Sequence, residues 1–367
     1  MNLFHNIERG LSVMQRYRYQ WIIYIAITWA VIDAGYWSYY MLYLKDVTDD
    51  PVFTRFTWGA LMLRFAIVFF ASLGVGYFLI FVLKERLRRY PLWLNVLLKM
   101  AMLLLSFVAI NVILHYTYAL FILHQDTSYF YNTYFLGPFS MAWLIKHCLG
   151  WVATYLLTQL LIEIYEKYSP GVFLDIILGK YINPRDEKRI VMFLDLKDST
   201  AIAEQLGHKE YFKFIRDFIY YVSTAMLEYN AHIYQYVGDE IVVSWSFSRK
   251  NTMLCLKAII AARKVLQYHI EKFRRNYNVT PEFKVGIHVG TVTIGEIGAI
   301  KKDLAMSGDT MNTAARIRTA CNELNQKFIV SKDFLDLIDL KEWQAESLGT
   351  IELRGKKEGI ELYALKI

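Results

Sequence analysis

Long apolar runs occupy the first half of the chain. They cover residues 20–44, 57–83, 92–124 and 138–164, with aromatic side chains near their ends. Each run meets or exceeds the ~20 residues that a helix needs to cross a bilayer. The pattern therefore predicts an α-helical four-span membrane domain over residues 1–166.

The second half instead alternates short apolar strands with amphipathic helices. RIVMFLDL is typical of a buried strand, and one or two helices are expected over residues 199–230. HIYQYV and EIVVSWS are typical of a hairpin, and a long helix is expected over 251–277. FKVGIHVG and TVTIGEIG are expected to form a second strand pair, and a helix is expected from Asp309. The order βαββαβ predicts an α+β ferredoxin-like domain over 190–367, with an antiparallel sheet and helices on one face. Residues 167–189, broken by Pro170-Gly171, would be a cytosolic linker that transmits signals between the two domains.

Basic residues give the expected orientation. Arg9, Arg16 and Arg18 precede the first span and KERLRR lies between the second and third, whereas the other two connections are acidic or lack Lys and Arg. Because Lys and Arg accumulate on the cytoplasmic side, both termini are predicted to lie in the cytoplasm, with the chain a multi-pass protein of the cell (inner) membrane. The net charge of +7 is explained by these clusters facing anionic lipid, so no nucleic-acid partner is expected. The three cysteines indicate no disulfide framework.

Several ionisable residues interrupt the apolar runs. Such groups usually face the interior of a helical bundle, either as ion pairs that fix packing or as part of a ligand or ion site. Both interpretations stay open for Asp33, Arg64, Lys99, His115, Lys146 and His147.

Three motifs in the second half carry more specific information. They are FLDLKDST at 193–200, YVGDE at 236–240 and GDTMNTAAR at 308–316, followed by ELRGK at 352–356. Alone, the Gly-Asp of the second motif is ordinary turn chemistry. Together and in this order, the motifs resemble the catalytic domain of class III nucleotide (adenylate/guanylate) cyclases, here of bacterial type behind a multi-span membrane anchor. The resemblance implies conversion of ATP to 3′,5′-cyclic AMP and pyrophosphate.

Cyclisation requires activation of a ribose hydroxyl and neutralisation of charge on phosphoryl oxygens. Two Mg²⁺ or Mn²⁺ ions per site would supply both, and these hard cations prefer carboxylate oxygens. Asp195 ends the first strand and Asp239 lies at the hairpin tip. Adjacent central strands would bring the two together, so they are the predicted metal ligands.

Phosphate contacts are expected at a helix start. Ser199 and Thr200 open the helix after Asp195, where free backbone N–H groups favour a triphosphate. The family usually has Gly and Phe where this chain has Asp198 and Ser199. Asp198 adds a negative charge there, and its role stays open.

Further substrate contacts are implied for the last two motifs. Asn312 and Arg316 are four residues apart and share one helix face. By resemblance, Asn312 orients the ribose and Arg316 stabilises the transition state at phosphorus. Arg354 stands where the family tends to have Lys and would hold the terminal phosphates, with Lys356 as the substitute. In this family one subunit supplies the carboxylates and the other the Asn and Arg, which implies a homodimer.

Base recognition is the least determined feature. Adenylate cyclases commonly pair Lys with Asp or Thr at two positions, and guanylate cyclases pair Glu with Cys; this chain has Gln235 and Ala305. ATP is the expected substrate, with GTP use or dual specificity as alternatives. The remaining alternatives are a catalytically inactive cyclase-like receptor and a diguanylate cyclase, whose GGDEF signature VGDEI echoes. The membrane ligand or regulator is not identified by the sequence.

Overall fold

The computed structural model describes residues 13–39, 41–42, 57–87, 90–132, 141–167, 175–176, 178–300, 303–338, 344–351 and 359–366. The chain divides into two compact units with the boundary between Lys167 and Tyr168.

The first unit is helical. Its helices are α1 (Val13–Tyr39), α2 (Trp58–Tyr77), α3 (Leu92–Phe121), the short α4 (Thr127–Phe130) and α5 (Met141–Lys167). A π-helical turn, Phe78–Leu83, and a last helical turn, Lys84–Leu87, continue α2. By length and composition, two described helices could cross a membrane, Trp58–Leu83 and Trp93–Phe121, and a shorter apolar stretch covers Gly150–Ile164 in α5. The predicted count of four spans is therefore not confirmed.

Polar contacts of this unit lie inside the helix packing. Arg64 of α2 donates two hydrogen bonds to the buried carboxylate of Asp33 in α1, with N···O distances of 2.5 and 2.9 Å. Trp29 donates to the Thr158 hydroxyl at 3.0 Å. Large apolar side chains such as Trp58, Phe70 and Leu105 are exposed instead. Of the ionisable residues found in the apolar runs, Asp33 and Arg64 thus form an ion pair within the helix packing. Lys99 forms another with Glu163, at 3.5 Å. His115 contacts the backbone of its own helix. The side chains of Lys146 and His147 lie outside the described residues.

The second unit is built on one mixed sheet. Its elements in chain order are β1 (Arg185–Leu196), α6 (Ser199–Glu228), β2 (His232–Val237), β3 (Glu240–Ser246), α7 (Arg249–Tyr268), α8 (Ile270–Tyr277), β4 (Phe283–Ile297), β5 (Asp303–Ser307), α9 (Asp309–Glu323), β6 (Phe328–Ser331), α10 (Lys332–Leu335), β7 (Gln344–Ile351) and β8 (Ile360–Lys366). The strand order is β2-β3-β1-β4-β6-β8-β7, and β5 pairs with β4. The strands β2, β3, β1 and β4 pair antiparallel, as a βαββαβ unit requires, whereas β4 and β6 are parallel.

Two expectations about this sheet were wrong. FKVGIHVG and TVTIGEIG form one continuous strand, β4, rather than a pair. Gly290 between them is needed for close approach and not for a turn, since a Cβ there would lie 2.4 Å from the Thr310 hydroxyl of α9. The helices also cover both faces. Met192 and Leu194 of β1 belong to the core that contains residues of α6 and α7, while Val191, which points the opposite way, packs in a cluster with Met311 and Ala314 of α9.

One ion pair joins the residues before β1 to the strand, within a small cluster of charges. Lys180 contacts Asp175 at 2.8 Å and Glu187 at 3.5 Å, and Arg189 contacts Glu187 at 2.6 Å. The strand begins at Arg185 and so includes the last residues of the segment expected to be linker. Most of the short helix expected at VFLDIIL lies outside the described residues.

Candidate active site

Antiparallel pairing brings the two predicted metal ligands together. Asp195 stands near the end of β1, opposite Glu240, the first residue of β3. Asp239 directly precedes Glu240 in the hairpin turn, where Gly238 adopts the positive φ of 63° that favours glycine. The carboxyl groups of Asp195 and Asp239 lie within hydrogen-bonding reach of each other.

Electrostatics at this point favours a bound cation. Burial raises the pKa of Asp195 to about 6, Arg318 opposes the rise, and the neighbouring carboxylates of Asp239 and Glu240 add to it. Oδ2 of Asp239 is buried and accepts no hydrogen bond from the described residues. Excess negative charge and an unsatisfied carboxylate oxygen are what a hard divalent cation would relieve, so the donor set fits Mg²⁺ or Mn²⁺.

The described side chains alone do not complete a metal shell. Among the described residues no group of three or more His, Cys, Asp or Glu side chains is arranged to hold a metal ion. Such an incomplete set is typical of Mg²⁺ sites, because the ion is usually bound by one or two carboxylates together with substrate phosphates and water.

The start of α6 lies directly after Asp195. Asp198 is its N-cap residue, in the left-handed conformation with φ 59°, and its side chain makes no capping hydrogen bond. The Asp198 carboxylate is exposed and 3.7 Å from Lys197 Nζ. Ser199 is half-buried and Thr200 exposed. The Tyr211 side chain, which follows a kink in α6 at Gly207, bonds to Ser199. Burial, followed by the nearby charge of Asp239, raises the pKa of its phenol.

Helix α9 carries the predicted ribose and transition-state residues. Asn312 is exposed and Arg316 half-buried on this helix. The guanidinium paired with Asp195 in the same chain is that of Arg318, at 3.4 Å. Asn312 and Arg316 thus lie together on α9, on a face distinct from the one that meets Asp195. Arg354 and Lys356 lie outside the described residues.

The predicted base-reading pair lies on β2 and β5. A bulge between Ile233 and Gln235 leaves Gln235 exposed. The Tyr234 hydroxyl accepts a hydrogen bond from the backbone N–H of Met306 at 3.0 Å. Since these two residues adjoin Gln235 and Ala305, the contact brings the two segments together. Ala305 is half-buried and offers only backbone polar groups.

The sequence patterns did not identify Arg318, Tyr211 or Glu240 as parts of this site. Arg318 is two residues beyond Arg316, so helical geometry places it on a different face. Its approach to Asp195 depends on how α9 packs, which no local pattern reveals. No helical spacing links Tyr211 to Ser199 either, because the helix between them is kinked at Gly207, whose φ of 70° is not helical.

Comparisons with known proteins agree with this geometry. A family model described as the adenylate and guanylate cyclase catalytic domain matches residues 183–367. Adenylate cyclase 2 of Rhizobium meliloti (strain 1021) is 28% identical over 206 residues, which cover 56% of this chain and 57% of that protein. Adenylate cyclase of Anabaena cylindrica is 24% identical over 222 residues, covering 56% of this chain and 43% of that protein. The chain therefore spans about half the length of these curated relatives.

A solved structure shows the same fold. A bacterial light-regulated adenylyl cyclase superposes with a TM-score of 0.51 at 18% identity, over 61% of this chain and 65% of that one. The matched family region begins just before β1 and contains each motif on which the resemblance was based. The chain belongs to the adenylate and guanylate cyclase family, and its second unit is a class III catalytic domain.

Proposed function

We propose that this protein is a membrane-anchored nucleotide cyclase that converts ATP to 3′,5′-cyclic AMP and pyrophosphate. The observation that carries the proposal is the convergence of Asp195 and Asp239 at the ends of adjacent strands, inside the region matched by the cyclase family. In the reaction the ribose 3′-oxygen bonds to the α-phosphorus. The bond from that phosphorus to the oxygen bridging to the β-phosphate breaks, pyrophosphate leaves, and the hydroxyl proton passes to solvent.

Asp195 and Asp239 would hold the divalent cations. When bound, two Mg²⁺ or Mn²⁺ ions would neutralise phosphoryl charge and make the 3′-hydroxyl easier to deprotonate. The backbone N–H groups at Ser199 and Thr200 would bind phosphate oxygens, because the first turn of a helix leaves its N–H groups without helical acceptors. Arg354, with Lys356 as substitute, would hold the terminal phosphates.

We place Asn312 and Arg316 in the active site of a second copy of the chain. Asn312 is exposed, and Asp195 in the same chain is paired with Arg318. Supplied by a partner, Asn312 would orient the ribose and the planar guanidinium of Arg316 would stabilise charge on the transferring phosphoryl group. A homodimer would then hold two complete sites.

Gln235 and Ala305 make the purine preference modest. A glutamine amide contains both a donor and an acceptor, so it can satisfy adenine or, after a flip, guanine. Ala305 adds no polar side chain. We expect ATP to be preferred by only ~10–100-fold, since a site with one adaptable group rejects the wrong base weakly. A guanylate or dual-specificity cyclase is the second candidate. Membership of the cyclase family speaks against a diguanylate cyclase.

The first unit would anchor the enzyme in the cell membrane by four spans, with both termini in the cytoplasm. Two described helices are long and apolar enough. Exposed Trp58 and Leu105 together with the buried Asp33–Arg64 pair fit a lipid-facing surface. Residues 167–189 would connect this unit to the catalytic domain at 190–367 and would transmit the effect of an unidentified membrane ligand or regulator.

The test is a turnover assay of the full-length protein in lipid nanodiscs with Mn²⁺. ATP and GTP are supplied together, and the cyclic products are separated chromatographically. Asp195→Asn and Asp239→Asn should each remove nearly all product, while Asp186→Asn, a matched change on the same strand at an exposed position, should not. Product in the two active-site variants would contradict the assignment, and no cyclic product from the wild type would favour the inactive-receptor alternative. Exclusive use of GTP would make guanylate cyclase the first candidate in place of adenylate cyclase.

Gln235 is tested in the same assay. Gln235→Lys with Ala305→Thr should sharpen the preference for ATP, and Gln235→Glu with Ala305→Cys should move it toward GTP. An unchanged product ratio among the three proteins would show that these residues do not read the base.

A further inference from the structure

Arg318 reaches the candidate metal site because α9 packs unusually close to β4. A Cβ at Gly286 would lie 2.2 Å from the Arg318 backbone nitrogen and 2.8 Å from the Ala314 carbonyl oxygen. Only glycine fits there, and its absence of a side chain lets the helix backbone rest on the strand. Asp195 pairs with Lys284, two residues from Gly286 on β4, so this packing sets the distance from Arg318 to Asp195.

The guanidinium bridges the two strands that carry the site. Nη2 lies 2.5 Å from Oε2 of Glu240, and Nη1 lies 3.4 Å from Oδ2 of Asp195. The side chains of all three residues are at most a quarter exposed. The contact with Glu240 is the shorter one but lacks hydrogen-bond geometry, whereas the contact with Asp195 is a long hydrogen bond.

Arg318 and a divalent cation at Asp195 would carry charges of the same sign. A divalent cation on Asp195 would meet a guanidinium already within 3.4 Å of the same carboxylate. Like charges at such separations repel strongly where water is partly excluded. The guanidinium can withdraw from Asp195 and keep its shorter contact with Glu240.

We propose that Arg318 is a positioning residue that holds Asp195 and Glu240 together in the metal-free enzyme and competes with the divalent cation for Asp195. It thereby sets the metal concentration at which the site fills. This inference rests on the proposed function, because it assumes that Asp195 is a metal ligand.

The test measures Mn²⁺ binding by the full-length protein in nanodiscs without nucleotide, from the electron paramagnetic resonance signal of free Mn²⁺. Arg318→Gln removes the charge and should lower the dissociation constant at least tenfold. Arg318→Lys keeps the charge and should stay within about threefold of the wild type. Lys284→Gln is the matched control: Lys284 is in register with Asp195 but bonds to Asn322, so its loss should change binding less than twofold.

Each outcome has a distinct meaning. Unchanged or weaker binding in Arg318→Gln, or equal weakening in Arg318→Gln and Arg318→Lys, would show that Arg318 only supports the structure and would overturn the proposal. If Asp195→Asn binds Mn²⁺ as well as the wild type, the metal assignment of the proposed function fails instead.

A second measurement needs no variant. In the wild-type protein, the rate at which a dicarbonyl reagent modifies Arg318 is followed by mass spectrometry, with exposed Arg216 as the internal reference. Mn²⁺ should raise the rate at Arg318 at least threefold, because the cation displaces the guanidinium from Asp195, and should leave Arg216 unchanged. A rate at Arg318 that stays constant or falls would overturn the proposal.

Discussion

Asp195→Asn is expected to abolish turnover and at the same time to stabilise the metal-free catalytic unit. The charged Asp195 is unfavourable in the folded chain, since burial and two neighbouring carboxylates outweigh its contact with Arg318. The difference between a pKa of about 6 and the usual 3.8 corresponds to about 3 kcal/mol, because each pH unit is worth 1.36 kcal/mol. Relaxation of the site and solvent entry reduce this energy. The free energy of unfolding of Asp195→Asn is therefore expected to exceed that of the wild type by about 1–3 kcal/mol.

The pH dependence has a definite sign. The folded state binds the Asp195 proton more tightly than the unfolded state, so the wild type loses stability as the pH rises from 3.8 through about 6. Above about 6 the loss is complete and the advantage of Asp195→Asn is largest. Below 3.8 both states are protonated, and the variant and the wild type should become equally stable.

Hydrogen exchange of the β1 and β4 amides, measured on the full-length protein with EDTA, reports the free energy of opening locally. At pH 8 the variant should exchange about 5- to 150-fold more slowly after correction for intrinsic rates. Asp186→Asn, at an exposed position of β1, should change the opening free energy by less than about 0.5 kcal/mol. Equal or faster exchange in Asp195→Asn at pH 8 would refute the argument that this carboxylate is held at a cost in stability.

Three other outcomes are expected. Asp239→Ala and Arg316→Ala should each be inactive and should recover activity when coexpressed; isolated mixed dimers without activity would show that sites are not shared. A fragment starting at residue 168 should gain specific activity as its concentration rises, because the first unit would hold the dimer; constant activity on dilution would contradict this. Gly286→Ala should destabilise the catalytic unit by about 1–3 kcal/mol, since its Cβ would lie 2.2 Å from the Arg318 backbone, and unchanged hydrogen exchange of α9 would argue against the close packing.

The order of elements in the catalytic unit could be predicted because each carries a local signal. Residues 190–194 of β1 are continuously apolar, as expected of a strand buried on both faces, and Gly238-Asp239 marks a hairpin turn. From the pairing order it followed that Asp195 and Asp239 would meet, and the structure brings them together.

The expectations that were wrong depended on tertiary contacts, which local sequence patterns do not encode. The expected break between FKVGIHVG and TVTIGEIG is absent, because Gly290 between them has no positive φ and instead admits Thr310. The position of α9 on the opposite face from α6 and α7 is decided by tertiary packing. For the same reason Arg318 could not be foreseen, because its side chain crosses from a helix to two strands that are distant in sequence.

The two ends of β1 connect the linker contacts to the candidate metal site. Glu187, near its start, pairs with Lys180, and Asp195, near its end, faces Arg318. Between them the strand is hydrogen-bonded to β3 on one side and to β4 on the other. A strand held on both edges bends little, so a displacement of the linker should move β1 together with its neighbours rather than distort Asp195 alone. Because Asn312 and Arg316 would come from a second copy, such a rigid movement would change their distance from Asp195 while the cluster of Asp195, Glu240 and Arg318 stays intact. Regulation through the linker should therefore change turnover more than it changes Mn²⁺ binding in the absence of nucleotide.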